Sequence, residues 1–293
     1  MADQGQISRL RGLQSELTTR IGVLDETFLG TSRPLAQNRL LYEVRRHPSV
    51  RDLRLWLGLD SGYTSRLLAA LRDEGLVELR PDPKDARGRV TVLTAAGEAE
   101  VARLDRRADA AAADLVDGLS PPARERLAAA AESLTGLLLA ATTRIEAADA
   151  ADPRVTWCLE QYFAELDDRF AGGLTVPGMV TADPQEVMPP HGQTLLAASL
   201  DEPVGCGMLK RTAPATVDIK RVWLDPRVRG AGLAGRMMDR LEDRARAMGC
   251  HTARLETNEA LTEAIGMYRR RGYEEVAPFN EGPNAHHWFA LSL

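Results

Sequence analysis

Residues 219–235, IKRVWLDPRVRGAGLAG, constrain the fold more tightly than any other part of the chain. Val222, Trp223 and Leu224 form a short aromatic and branched run, which is a strand pattern. Pro226 has no N–H and stops the strand ladder after Asp225. Most residues from 229 to 235 are small. Met237, Met238, Leu241, Ala245 and Met248 then recur at helical spacing. A strand, a glycine corner and a helix entrance in this order make an anion cradle, because first-turn N–H groups point outward and the helix dipole favours negative charge. Gly230, Gly232 and Gly235 fall on the letters G-x-G-x-x-G, but residues 225–229 separate them from the strand, whereas the dinucleotide turn follows its strand directly; no Gly-Lys-Ser/Thr is present after them to make a P-loop.

A chain of 293 residues has room for about two domains. No apolar run approaches the roughly 18–20 residues of a membrane-spanning helix. The first residues lack the apolar core of a secretory signal. Cys158, Cys206 and Cys250 are far apart, with neither CxxC nor zinc spacing, so no metal site is expected and a reducing cytoplasm is the simplest setting. The net charge of −5 argues against a protein that coats nucleic acid broadly. It leaves room for a local basic face.

The first half reads as helices. Ile7, Leu10, Leu13, Leu17, Ile21 and Leu24 make one amphipathic stripe, and Pro34 breaks it. Residues 35–46 form a second helix, ending before His47-Pro48. Ser49 caps a third, with Leu53, Leu55, Trp56 and Leu57. After the turn Gly58-Leu59-Asp60, residues 62–74 form a fourth, with Leu67, Leu68 and Leu71 inward. Helix, short glycine turn, helix is a helix-turn-helix pattern. Residues 76–80 and 89–94 then read as two strands around a polar tip, 81–88. Further helices carry Val101, Leu104, Ala108, Ala112 and Leu115, then Leu127, Leu134, Leu137, Leu138 and Ile145. The break near residues 146–153 divides a domain at 1–150 from one at 151–293.

With LDSGYTSRLLAALRDEGLVE, the wing D-x-R-x-R at Asp85, Arg87 and Arg89, and LTAAGEAEVARLD, the first domain resembles the MarR family of winged-helix transcription regulators. The resemblance implies a homodimer on double-stranded DNA, reading a palindromic operator. Ser61, Tyr63, Thr64, Ser65 and Arg66 would face the major groove, Arg87 and Arg89 on the wing would meet the minor groove and backbone, and Arg51, Arg54 and Arg72 would meet phosphates.

The second half reads as a helix over 155–170, a three-strand meander ending in Leu224, the glycine corner with its helix, a strand at 251–256, a helix at 260–271, and closing strands. This order, with Arg229-x-x-Gly232-x-Ala234, resembles the GNAT superfamily of acetyl-CoA-dependent acyltransferases. The expected whole is a multidomain α/β chain: a mostly helical winged helix-turn-helix domain, then an α+β GNAT fold with a mixed, mainly antiparallel sheet. By resemblance, the backbone of Val222, Trp223 and Leu224 holds the pantetheine arm of acetyl-CoA. N–H groups of Arg229, Gly230, Ala231, Gly232, Leu233, Ala234 and Gly235 hold the diphosphate, and Asn258 contacts the cofactor. Tyr268 is the expected general acid toward the leaving thiolate and Asp218 the expected base for an amine acceptor. Tyr162, Phe163, Arg169 and Phe170 are candidates for the acceptor side, with Arg169 also spaced to pair with Glu165.

Overall fold

The computed structural model describes residues 3–20, 30–83, 88–170, 172–174 and 183–293. Ile21 and Leu24 of the first helical stripe, and Lys84, Asp85 and Arg87 of the wing tip, lie outside the described residues. The chain divides into two compact units, Met1–Leu127 and Ala128–Leu293. The boundary expected after residue 150 lies inside the second.

In the first unit, α1 (Gln4–Arg20), α2 (Leu35–Glu43), α3 (Val50–Leu57) and α4 (Ser61–Asp73) precede a hairpin of β1 (Val77–Pro81) and β2 (Arg89–Leu93), succeeded by α5 (Ala95–Asp117). Short polar side chains fix the helix starts by accepting first-turn N–H groups. Ser49 Oγ accepts from Asp52 N, and Asp60 Oδ1 accepts from Tyr63 N at 2.9 Å. Thr94 Oγ1 does the same for Gly97 N at 3.0 Å. Leu40, Leu41, Leu53 and Leu71 are completely buried and make the centre of this core. The hairpin is antiparallel in the register Val77↔Leu93 to Pro81↔Arg89.

α6 (Pro121–Thr142) is one unbroken helix that begins in the first unit and ends in the second. Ile145, expected to continue its stripe, belongs instead to β3 (Arg144–Ala148), which pairs antiparallel with β4 (Gly192–Ser199). Alanine-rich sequence favours a helix here, but an open sheet edge offers a backbone ladder that the local preference cannot match.

Between β3 and β4 lies α7 (Pro153–Arg169), capped by Asp152. Next come β5 (Glu202–Ala213), β6 (Thr216–Leu224), α8 (Leu233–Ala247), β7 (Thr252–Thr257), α9 (Thr262–Arg270), β8 (Glu274–Glu275) and β9 (His287–Ser292). The seven strands stand in the order β3-β4-β5-β6-β7-β9-β8. β6 and β7 run parallel and the other pairs antiparallel. α8 packs one face through Met237, Met238 and Leu241, all fully buried. α7 packs a separate cluster through Val155, Cys158 and Leu159 with Cys206, Met208 and Trp223.

Candidate active site and nucleic-acid interface

The site in the second unit is a fork in the sheet. β6 and β7 share a ladder only from Thr216↔Thr252 to Asp218↔Arg254. Beyond Asp218 the two strands part. Arg221 sits at φ 54, where the β5–β6 register slips by one residue. Such a bulge bends a strand and re-aims the residues after it. Trp223 and Leu224 therefore keep their ladder to β5, and residues 222–224 present an open backbone edge to the fork.

At the end of that edge the glycine corner turns into α8. Gly230 and Gly232 have φ of 76 and 80, and a Cβ built on either meets nothing within 4 Å. Gly232 is the N-cap and offers no side-chain acceptor, and the first turn of α8 carries no acidic residue. The first-turn N–H groups and the positive end of the helix dipole are thus left for a ligand. Leu233 contributes only backbone here, because its side chain is a 1 % exposed core anchor.

The fork opens into a cavity of about 550 Å³. Tyr162, Glu165 and Arg169 of α7, Val222, Trp223 and Leu224 of β6, the corner glycines, and Met267 and Tyr268 of α9 line it. Tyr268 is 8 % exposed, with its ring against Tyr273 and Phe289. Burial pushes its hydroxyl well above the usual phenol range, and Tyr162 adds to the shift. Burial also pushes Tyr162 up to about 12. Both phenols are therefore neutral donors at physiological pH.

Three expected roles look different in the structure. Asp218 is 5 % exposed and does not line the cavity. Its Oδ1 accepts from Arg254 Nε (3.0 Å) and Nη2 (2.9 Å) and from Thr212 Oγ1 (3.2 Å). It locks the closed end of the fork and is not placed as a base. Asn258 also lies off the cavity: its amide donates to Asn284 O (2.8 Å) and its Oδ1 accepts from Ala260 N (2.9 Å). That is the local turn an asparagine side chain makes with nearby backbone. Arg229 does not offer its N–H to the corner, since that group donates to Pro226 O (3.3 Å), and its side chain folds back, donating through Nε and Nη2 to Leu224 O and through both Nη atoms to Glu165.

Glu165 is the residue whose importance the sequence understates. It pairs with Arg169 as the i, i+4 spacing predicts (3.2 Å). It also accepts from Trp223 Nε1 (2.9 Å) and holds Arg229. One carboxylate ties α7 to the open strand and to the cradle. Hydrogen bonds from Arg229 outweigh desolvation and bring its pKa down to about 2. A carboxylate depressed in the folded state stabilises the fold above its unfolded pKa and loses that contribution as pH falls toward the folded value. Solvent screening at this half-open site reduces the effect, so the wild-type chain should exceed Glu165→Gln in stability by about 1–2 kcal/mol at neutral pH. The gap should close between about pH 4.5 and 2. Urea unfolding across that range measures it, and a gap independent of pH would contradict the assignment.

In the first unit, α4, α3 and the wing root enclose a groove of about 740 Å³ lined by Arg51, Arg54, Ser61, Ser65 and Arg89 among others. Ser61, Ser65, Arg66 and Arg89 are exposed, and Tyr63 is half-buried beneath the Arg66 guanidinium (5.6 Å). Thr64 is a correction: it is 1 % exposed, and its hydroxyl donates to Asp60 O (2.8 Å). It stands three, four and seven positions before Leu67, Leu68 and Leu71, on the buried stripe of α4.

An open strand edge binds an extended amide-bearing arm by main-chain hydrogen bonds, and a bare helix entrance binds an anion. A coenzyme with a pantetheine arm ending in a diphosphate needs both features side by side, and the fork has space for each. The class so defined is an acyltransferase that draws its acyl group from a coenzyme A thioester. Residues 155–273 match the Acetyltransferase (GNAT) family, and residues 30–88 match the MarR family. An IAA acetyltransferase of Azospirillum brasilense is 32% identical over 127 residues, covering 42% of this chain and 82% of that protein. Among solved structures, a GNAT-family acetyltransferase of Staphylococcus aureus aligns with a TM-score of 0.45 at 15% identity, over 51% of this chain and 99% of that one. One from Elizabethkingia anophelis with acetyl-CoA bound aligns at 0.40 and 14%, over 52% and 99%. The chain belongs to the GNAT acetyltransferase family, fused to an N-terminal segment, residues 30–88, that matches the MarR family. No helix among the described residues is long and apolar enough to cross a membrane.

Proposed function

We propose that this acetyltransferase moves acetyl from acetyl-CoA to a primary amine, and that its MarR-family half binds double-stranded DNA, making the chain a regulator as well as an enzyme. The observation that carries the enzymatic half is the fork: an open edge at residues 222–224 beside an uncapped helix entrance, with a buried neutral tyrosine on the opposite wall. When bound, the coenzyme supplies the activated acetyl group. The edge of Val222, Trp223 and Leu224 orients the arm, the N–H groups of residues 230–235 hold the diphosphate, and Tyr268 offers its hydroxyl proton to the departing sulfur. Glu165 and Arg229 fix the position of the edge relative to the cradle. Thiol release from acetyl-CoA, measured across a panel of primary amines, tests this. Coenzyme binding without amine-dependent thiol release would reduce the domain to a sensor.

On the DNA side, Ser61, Tyr63, Ser65 and Arg66 are the groove-facing candidates, and Arg51, Arg54 and Arg89 meet phosphates. A two-fold dimer would present two such faces to a palindrome. Ile7, Leu10, Leu13 and Leu17 of α1, with Leu115, Leu119 and Leu127, are exposed apolar residues in the single chain and suit a subunit interface. Arg89→Ala should weaken binding to a fragment from upstream of the chain's own coding region, and lower the salt slope by about 1. Fluorescence anisotropy over a salt series measures both. An unchanged slope would remove Arg89 from the interface.

A further inference from the structure

The segment that makes the cradle has a second face, and α6 occupies it. Gly136 approaches so closely that a Cβ there would stand 1.9 Å from the Arg227 carbonyl oxygen. One turn on, Ala140 is 3 % exposed in the same core as Val228, Leu233 and Met237. Arg236, in the first turn of α8, donates through Nη1 to Ala140 O (3.2 Å) and through Nη2 to Thr143 O (2.8 Å). The last carbonyls of a helix lack the regular intrahelical partner, and this guanidinium bonds the chain at the C-terminal end of α6, where Ala140 O also accepts from Thr143 N (3.4 Å). Thr142 Oγ1 and Ser199 Oγ, 2.6 Å apart, hold the same end to β4.

Residues 227–236 therefore serve two neighbours. The corner from Arg229 to Gly235 lines the cavity, while the Arg227 carbonyl and the Arg236 side chain grip α6. α6 runs without a break back to Pro121, and its first residues, up to Leu127, belong to the DNA-reading unit.

We infer that α6 senses occupancy of the coenzyme cradle through Gly136 and Arg236, and so carries the loaded state of the enzyme toward the MarR-family module; this rests on the acetyl-CoA reading of the fork. A diphosphate bonded to the corner N–H groups orders the backbone that α6 packs on. Ordering on one side then lowers the cost of order on the other. Linkage is reciprocal, so a change in α6 alone must alter coenzyme affinity.

Hydrogen exchange of the full chain, with and without saturating coenzyme A, tests the inference. Slowed exchange is expected at residues 229–236 and also at 128–142. Arg236→Gln should retain the protection at 229–235 and lose it at 128–142. Gly136→Ala, on a helix that does not line the cavity, should weaken coenzyme A binding at least tenfold by calorimetry. Protection confined to the cradle, or unchanged affinity in Gly136→Ala, overturns the coupling and leaves the enzyme reading intact. Protection in neither segment overturns both.

Discussion

Replacing Tyr268 with phenylalanine should lower kcat by about 10²–10⁴-fold while leaving the affinity for acetyl-CoA nearly unchanged. The ring is 8 % exposed and braced by Tyr273 and Phe289, so loss of one oxygen leaves the packing in place. What disappears is the hydroxyl proposed as proton donor to the departing sulfur. Burial holds the hydroxyl protonated through the whole neutral range, so the effect should be level across neutral pH. Thiol release under saturating acetyl-CoA gives kcat, and calorimetry gives the affinity. A variant that turns over at the wild-type rate would remove Tyr268 from the chemistry, and one that no longer binds coenzyme would make it a wall of the cavity only.

Gly232→Val should abolish most coenzyme binding. Gly232 has φ of 80, so any side chain carries a backbone strain of roughly 1–2 kcal/mol, and a branched one is worse. The Cβ itself meets no protein atom, and Gly232 lines the cavity where the diphosphate is proposed to sit. Losing two charge-assisted hydrogen bonds, each about 1.5–3 kcal/mol, corresponds to roughly 10²–10⁴-fold in affinity. Gly249→Val isolates the strain. Gly249 lies just past the far end of α8, at φ 76 and equally open, so this variant should share the stability loss and retain coenzyme binding. Equal affinity in the two variants would mean that the corner is a structural turn and not a cradle.

Tyr268 and Gly232 belong to features of different legibility. The strand, the proline stop, the glycine corner and the helix at residues 219–248 were readable because each comes from local pattern: period two, a missing N–H, absent side chains, period 3.6. Thr64 was expected to face DNA with its neighbours, yet it shares a helical stripe with Leu67, Leu68 and Leu71 and is buried with them. The side-chain chemistry of the fork was less accessible. Asp218 looked like a base in VDIKR, but it faces Arg254, thirty-six positions on, because β6 and β7 lie side by side there. Arg229 looked like a backbone contribution alone, yet its guanidinium reaches Glu165, sixty-four positions earlier.

Local pattern was enough to set the order of elements, the corner that bares the first-turn amides of α8, and the tyrosine on α9, since these depend on neighbours within a few residues. Long-range packing settled which charges are spent on each other, that residues 144–148 leave the helix for the sheet, and that α6 ends against the back of the cradle. A charged side chain takes whichever partner the folded chain brings within about 3 Å. That partner is set by strand order and helix packing, which no local spacing encodes.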